Sequence, residues 1–303
     1  MKMLRLTYPL PLICRVLEVS RSGYYAWLSR LPPRRTQEEG RLEVEIKAAH
    51  KRTRGTCGPE RLQHDLAAHG VKVGICRIRR IREKFGIRCK QIKKFKATTE
   101  SNHTLPVAEN LLEQKFEAAT PNQIWVSDIT YISTDEGWLY CTAHKDLFNG
   151  EIVGYALGSR ITKDLVIRSL LRAVAIKKPQ RGLIHHSDRG SQYCSYDYVK
   201  LLGRFNMKAS MSRKGNCYDN APMESFWGTL KNELVYHQRY ATREQAIREI
   251  AEYIEVFYNR QRRQGWDTYP LLGTRGSSTR GRQRHEYYWC PLLTSGVIRK
   301  ARV

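Results

Sequence analysis

The sequence contains no Cys-x-x-Cys pair among its eight cysteines, so neither a zinc ribbon nor a disulfide framework is indicated, and the cysteines read as reduced thiols. It lacks any apolar run long enough to cross a bilayer. Its opening, MKMLRLTYPLPLICRVL, is too short and too interrupted for a secretion signal, so the expectation is a soluble cytoplasmic protein. Acidic residues are scarce, 29 Asp and Glu against 53 Lys and Arg. The shortage is sharpest at the start: residues 1–100 hold 24 basic and 9 acidic side chains, 101–264 hold 22 and 18, and 265–303 hold 7 and 2. Clustered Lys and Arg neutralise phosphates and release counterions, so the asymmetry points to a polyanion, with a plain solvated basic surface as the alternative. A chain of 303 residues has room for one large core and a smaller module.

The basic first third reads as helices in pairs. In LPLICRVLEVSRSGYYAWLSRL, Leu12, Ile13, Val16 and Leu17 recur at helical spacing, and Ser20 is placed to cap a second helix carrying Tyr24, Tyr25 and Trp27. A second unit follows, with Pro59 at a helix start, Gly70 as its stop, and ICRIRRIREKFG after the turn. There Ile75, Ile78 and Ile81 or Phe85 face inward, while Arg77, Arg79, Arg80, Arg82 and Lys84 spread over the rest as a DNA-facing surface. These residues, 1–89, form the expected helix-turn-helix DNA-binding region. Residues 90–105 lose periodicity and read as a linker.

Residues 106–264 read as a mixed α/β domain. IWVSDITYIS is a strand whose apolar run is interrupted by one carboxylate, Asp128, and GWLYCTAHKDLFNGEIVGYALGS reads as two strands joined at a tight Asn149-Gly150 turn beside Asp146. A helix from about Thr162 to Ile176, a strand GLIHHSD, a helix from about Ser195 to Phe205 and a strand MKASMS complete an order of three antiparallel strands followed by helix-alternating ones. Beyond these, Asp219 or Asn220 can cap a helix that projects Glu224, and Lys231, seven residues on, shares its face. A helix from about Arg243 ends in YIEVFYNRQRRQ, with basic residues gathered in its last turns.

Asp128 inside a strand, Asp188 at a strand end and Glu224 on a helix can converge at one sheet edge. Three clustered anions repel, and divalent cations relieve the repulsion; oxygen ligands suit Mg²⁺, and a metal pair can activate the attacking oxygen and stabilise the leaving one in phosphodiester chemistry. Taken singly, each has a structural reading: a satisfied buried carboxylate, a turn former and a solvated helix residue. His185 and His186 are adjacent in a strand and point to opposite faces, so at most one can join Asp188, and structural or DNA-backbone roles fit both better.

WVSDITYI, HHSDRGSQY and SMSRKGNCYDNAPMESFWGTLKNEL resemble the three catalytic blocks of bacterial insertion-sequence transposases of the DDE, retroviral-integrase-like superfamily, second-reading-frame type. Thirty-five residues separate Asp188 from Glu224, the spacing for which that superfamily is known, and the resemblance runs from about Leu12 to Gln264. It implies a ribonuclease-H-like catalytic domain behind an all-α region, with Asp128, Asp188 and Glu224 as catalytic metal ligands for two Mg²⁺ ions, replaceable by Mn²⁺. It implies Lys231 as a contact to element-end DNA, the basic end of the last helix as another, and Arg189, Gly190, Asn216, Tyr218 and Asn220 as residues holding loops near metals or phosphates. The implied chemistry is nicking by water that frees a 3′ hydroxyl, then in-line attack of that hydroxyl on another phosphodiester. Element-end and target DNA, a homo-multimer, nucleoid association and a fusion with, or partnership to, the first-reading-frame protein are implied partners and context. Two alternatives stand beside this reading: a ribonuclease H acting on hybrids, and a disabled DNA-binding relic or repressor.

After Gln264 the resemblance stops. Relatives continue with Leu-Gly-Tyr-x-Ser-Pro, whereas this chain reads GWDTYPLLGTRGSSTRGRQRHEYYWC. The codons for Gly-Trp-Asp-Thr-Tyr-Pro-Leu, read from the third base, give successive triplets that can encode Leu-Gly-Tyr-Leu-Ser-Pro. The expectation is a frame change near Gly265 that leaves residues 265–303 as a foreign, poorly ordered tail. Coding DNA with no match to that motif in the shifted frame would refute it.

Overall fold

The computed structural model describes residues 3–31, 33–90, 106–214 and 216–262. The expected linker beyond Lys90 and the tail 265–303 lie outside the described residues. Among the described residues no helix is long and apolar enough to cross a membrane.

The N-terminal part folds as helices α1 (Leu10–Val16), α2 (Arg21–Ser29), α3 (Arg34–Arg52), α4 (Pro59–Ala68) and α5 (Ile75–Lys84). Ser20 caps α2 as expected, its hydroxyl accepting the Gly23 N–H at 2.9 Å. In the first helical pair only part of the apolar set is covered: Ile13 and Tyr24 are buried, while Leu12, Val16, Leu17, Tyr25 and Trp27 are exposed. Helix α3 is absent from the sequence reading. Its stripe of Leu42, Ile46 and Ala49 packs on Leu62 and Leu66 of α4 and on Ile78 and Ile81 of α5, so the second unit is a three-helix cluster rather than a helical pair.

Helix α5 presents Ile78 and Ile81 inward as expected, but Arg82, placed by pattern on the outer surface, is buried and donates to Cys89 Sγ at 3.2 Å. Phe85 stays at the surface, covered by the Lys47 ammonium 3.6 Å from its ring centre.

The second part is built on a five-stranded sheet of β1 (Ile124–Thr134), β2 (Gly137–Asp146), β3 (Ile152–Gly158), β4 (Ile184–Ser187) and β5 (Lys208–Met211), in the order β3-β2-β1-β4-β5. The first three strands pair antiparallel; β4 and β5 run parallel to β1 and are reached through α6 (Lys163–Lys177) and α7 (Tyr196–Arg204), since parallel neighbours need a crossover. Alternation along β1 sends Ile124, Val126 and Ile132 to one face, against α8 (Ala221–Glu233), α9 (Arg243–Glu252) and the π-helical turn Tyr253–Tyr258 that continues it. Trp125 faces the other side, with Val166 and Leu170 of α6 and Tyr198 and Leu202 of α7. This is the mixed α/β order read from the sequence and the ribonuclease-H-like arrangement that the family resemblance implies.

The β2–β3 connection is wider than a two-residue turn. Asp146 N–H donates to Glu151 O, and the Asp146 carboxylate takes the N–H groups of Asn122 and Phe148, so it shapes a loop in which Gly150 has a φ of 77°.

Strand β3 meets α6 closely at Gly154, where an added Cβ would lie 2.6 Å from Ala173 Cβ and 2.7 Å from its backbone nitrogen. Because backbone rather than a flexible side-chain end blocks the space, Gly154→Ala is expected to destabilise the domain by about 1–3 kcal/mol. A thermal midpoint unchanged from the parent would contradict that packing.

Candidate active site

Asp128 stands in mid-β1, directly opposite Ala143 of β2 and therefore on the sheet face that α8 covers. Its Oδ1 accepts the Ile129 N–H at 2.8 Å and its Oδ2 the Trp227 indole N–H at 3.2 Å. Asp188 follows the last residue of β4 and begins a tight turn, the Gly190 N–H donating to its Oδ1 at 3.0 Å. A side chain at Gly190 would press on that same oxygen at 3.0 Å, which accounts for the glycine. Glu224 lies in the first turn of α8, where the helix dipole favours a carboxylate.

The structure brings these three together electrostatically. Burial pushes the Asp128 carboxyl well above the usual range; the charge of Asp188, and less strongly that of Glu224, raise it further, against the two N–H donors. Among the described residues no three His, Cys, Asp or Glu side chains close into a ready-made metal cage. An all-carboxylate donor set whose charges oppose one another nevertheless fits a hard divalent cation in chemistry.

Several contacts fix α8 against the sheet. Asn220 Nδ2 donates to Ser127 O at 3.2 Å and Lys145 Nζ to Pro222 O at 3.3 Å. Burial, with the Arg262 charge, brings Lys145 down to about 8. Asp219 is fully enclosed and accepts from Asn110, Gln114, the Arg213 guanidinium and the Arg213 N–H, all at 2.8–3.0 Å. Hydrogen bonding from Arg213 holds its carboxyl well below the ordinary value, with burial opposing. Sequence reasoning saw Asp219 only as a possible cap. Asn216 Oδ1 accepts the Tyr218 N–H, and Arg189 Nε donates to Ser212 O at 2.7 Å, two bonds within the loops that flank the carboxylates.

Lys231 shares the Glu224 side of α8 and sits 4.9 Å from the Tyr131 ring centre; burial lowers its pKa while Asp128 raises it. His185 and His186 are both buried in the sheet. His185 Nε2 lies 3.1 Å from His144 Nδ1 and 3.0 Å from Tyr198 Oη, and His186 is flanked by the Ser210 and Ser212 hydroxyls. Burial brings them to about 3 and about 4, so both are neutral near pH 7.

The other basic residues divide. On α5, Arg80 pairs with Glu39 at 2.9 Å and Lys84 with Glu43 at 2.5 Å, both from α3, whereas Arg77 has no acidic partner among the described residues. At the chain's basic helix end, Arg262 is not offered to DNA: it is bound by Glu233 through Nε and Nη2, and only 12% of its side chain is exposed.

Models of known families match three segments: an HTH-like domain over residues 37–95 and integrase core domains over 118–217 and 224–275. The Insertion element IS600 uncharacterized 31 kDa protein of Shigella sonnei is 57% identical over 251 residues, covering 83% of this chain and 92% of that one. Transposase InsF for insertion sequence IS3A of Escherichia coli (strain K12) is 41% identical over 256 residues, covering 84% and 89%. Among solved structures, the simian T-cell lymphotropic virus intasome in complex with PP2A regulatory subunit B56 gamma matches at 18% identity and a TM-score of 0.45, covering 79% of this chain and 78% of that one. The HTLV-2 integrase catalytic core domain in complex with magnesium matches at 18% identity and a TM-score of 0.39, covering 50% and 94%. On the sequence relatives and the matched domains, the chain belongs to the insertion-sequence transposases that carry an integrase core domain, the DDE polynucleotidyl transferases.

Proposed function

We propose that Asp128, Asp188 and Glu224 are the catalytic carboxylates of this transposase and hold two divalent cations, Mg²⁺ with Mn²⁺ as a substitute, while cutting and rejoining DNA at insertion-sequence ends. The observation that carries this is the place of Asp128 on the face of β1 that α8 covers, bonded to Trp227 of that helix, with the charges of Asp188 and Glu224 both acting on its half-buried carboxylate. Bound cations would activate the attacking oxygen and stabilise the leaving one. The chain's own part is to hold the acceptor oxygens in place: β1 fixes Asp128, the Gly190 turn fixes Asp188, and the anchored first turn of α8 presents Glu224. Lys231, on the same side of α8, neutralises a phosphate of the element end, and Arg189 lies beside Asp188 for the same purpose. Water attacks first, breaking a P–O3′ bond to leave a 3′ hydroxyl and a 5′ phosphate; that hydroxyl then attacks a second phosphodiester in line and displaces its 3′ oxygen, with no covalent enzyme intermediate.

The test is nicking of labelled DNA bearing the element's terminal repeats, with Mg²⁺, with Mn²⁺ and with chelator. Cleavage at the repeat boundary that requires the cation supports the assignment. Cleavage confined to the RNA strand of a hybrid would make the protein a ribonuclease H, and end binding without any nicking would make it a disabled relic.

The α3–α5 cluster is the DNA-reading part of this proposal, with Arg77, Arg80 and Lys84 at the interface. Arg77→Ala is expected to lower the slope of log affinity against log salt by about 1, the loss of one phosphate contact. Fluorescence anisotropy across a salt series measures it, and an unchanged slope would remove Arg77 from the interface. Pairing two element ends calls for a multimer on the nucleoid, and the first-reading-frame protein is the proposed fusion or partner. The frame change near Gly265 is retained as a proposal. The integrase-core match extends to residue 275, across the proposed break, so the coding DNA is the deciding observation.

A further inference from the structure

Trp227 stands three residues beyond Glu224 on α8, so both project from neighbouring positions on the helix surface. The residue is 5% exposed and its ring packs on Phe226, the centroids 4.7 Å apart. An indole has one polar group, an N–H that can only donate, and here it donates to Asp128 Oδ2 at 3.2 Å. Such a partner is not automatic in this fold: the indole N–H of Trp125, also buried, has none among the described residues.

The other Asp128 oxygen takes the Ile129 N–H at 2.8 Å. Each carboxylate oxygen has two lone pairs, so one donor on each oxygen fixes the rotamer and leaves acceptor capacity on both. The Ile129 donor is backbone and cannot be chosen by evolution of a side chain. The Trp227 donor is a side chain from the helix that also carries Glu224, so it ties the orientation of one carboxylate to the position of another.

We infer that Trp227 is a positioning residue that orients the Asp128 carboxylate for cation binding. The inference rests on the proposed metal role of the triad. Groups that orient metal ligands from behind typically alter affinity 10–100-fold when removed. Trp227→Phe keeps an aromatic ring and deletes the N–H. It is expected to raise the cation concentration needed for half-maximal effect about tenfold or more. A role in packing alone would lower thermal stability and leave that midpoint in place.

The experiment is a Mn²⁺ titration of the full chain without DNA, following the rise in melting temperature of each variant above its own metal-free value. Four proteins are compared: the parent, Asp188→Asn, Trp227→Phe and Trp227→Leu. A saturable rise in the parent that is absent in Asp188→Asn establishes the triad as the binding site, and a midpoint shifted upward in both Trp227 variants then supports the inference. Parental midpoints in the Trp227 variants would overturn it while leaving the triad assignment intact. A parental response in Asp188→Asn would overturn the triad assignment itself, and the inference with it. Failure of both Trp227 variants to fold would also overturn it, by showing that packing accounts for the residue.

Discussion

Asp188→Asn is expected to lower strand cleavage at least ~1000-fold while element-end binding stays within about twofold of the parent. The substitution is nearly isosteric, and the amide oxygen can still accept the Gly190 N–H that holds the turn after β4. What changes is charge. One of the carboxylates acting on Asp128 is removed, so the repulsion that a dication would relieve is weakened and an anionic ligand is lost. The effect should therefore fall on the cation-dependent step and leave in place the DNA affinity that the proposal assigns to basic residues. Loss of cleavage and of binding together would instead mean that Asp188 supports the fold.

Asp219→Ala is expected to destabilise the catalytic domain by roughly 3 kcal/mol, because several donors lose their acceptor at once. The carboxylate joins three places in the chain: Asn110 and Gln114 ahead of β1, Arg213 after β5, and the turn that leads into α8. The effect has a pH signature. Hydrogen bonds from Arg213 depress the folded-state value of Asp219 below that of the unfolded chain. Its contribution is therefore complete above the ordinary carboxylate value of about 4 and is lost as pH falls through the depressed folded value. Urea unfolding between pH 3 and pH 7 should show the parent losing stability toward acid more steeply than Asp219→Asn. Parallel curves for the two proteins would remove Asp219 from the acid-sensitive framework.

Much of this architecture is legible in local pattern. The alternation of Trp125 against Ile124 and Val126 marks β1 as a strand covered on both faces, and the carboxylate interrupting it marks Asp128. Helix α3 escaped because its inward stripe is narrow, Leu42, Ile46 and Ala49 in a segment otherwise dominated by charge. Arg262 looked like a basic helix end offered to DNA, but its Glu233 partner lies 29 residues earlier, and nothing in either local segment announces the pair. The same holds for the reach of 109 residues from Asn110 to Asp219 and of 99 from Trp227 to Asp128. The three candidate carboxylates are picked out by the resemblance of their sequence blocks; the groups that hold them in place are set by tertiary proximity.

The most direct measurement is a crystal of the protein soaked with Mn²⁺ and recorded at the manganese absorption edge. The account predicts anomalous density among Asp128, Asp188 and Glu224, with carboxylate oxygens about 2.1–2.2 Å from it, and the loss of that density in Asp188→Asn. Anomalous density held by other residues, or none at the triad under conditions that support cleavage, would contradict it.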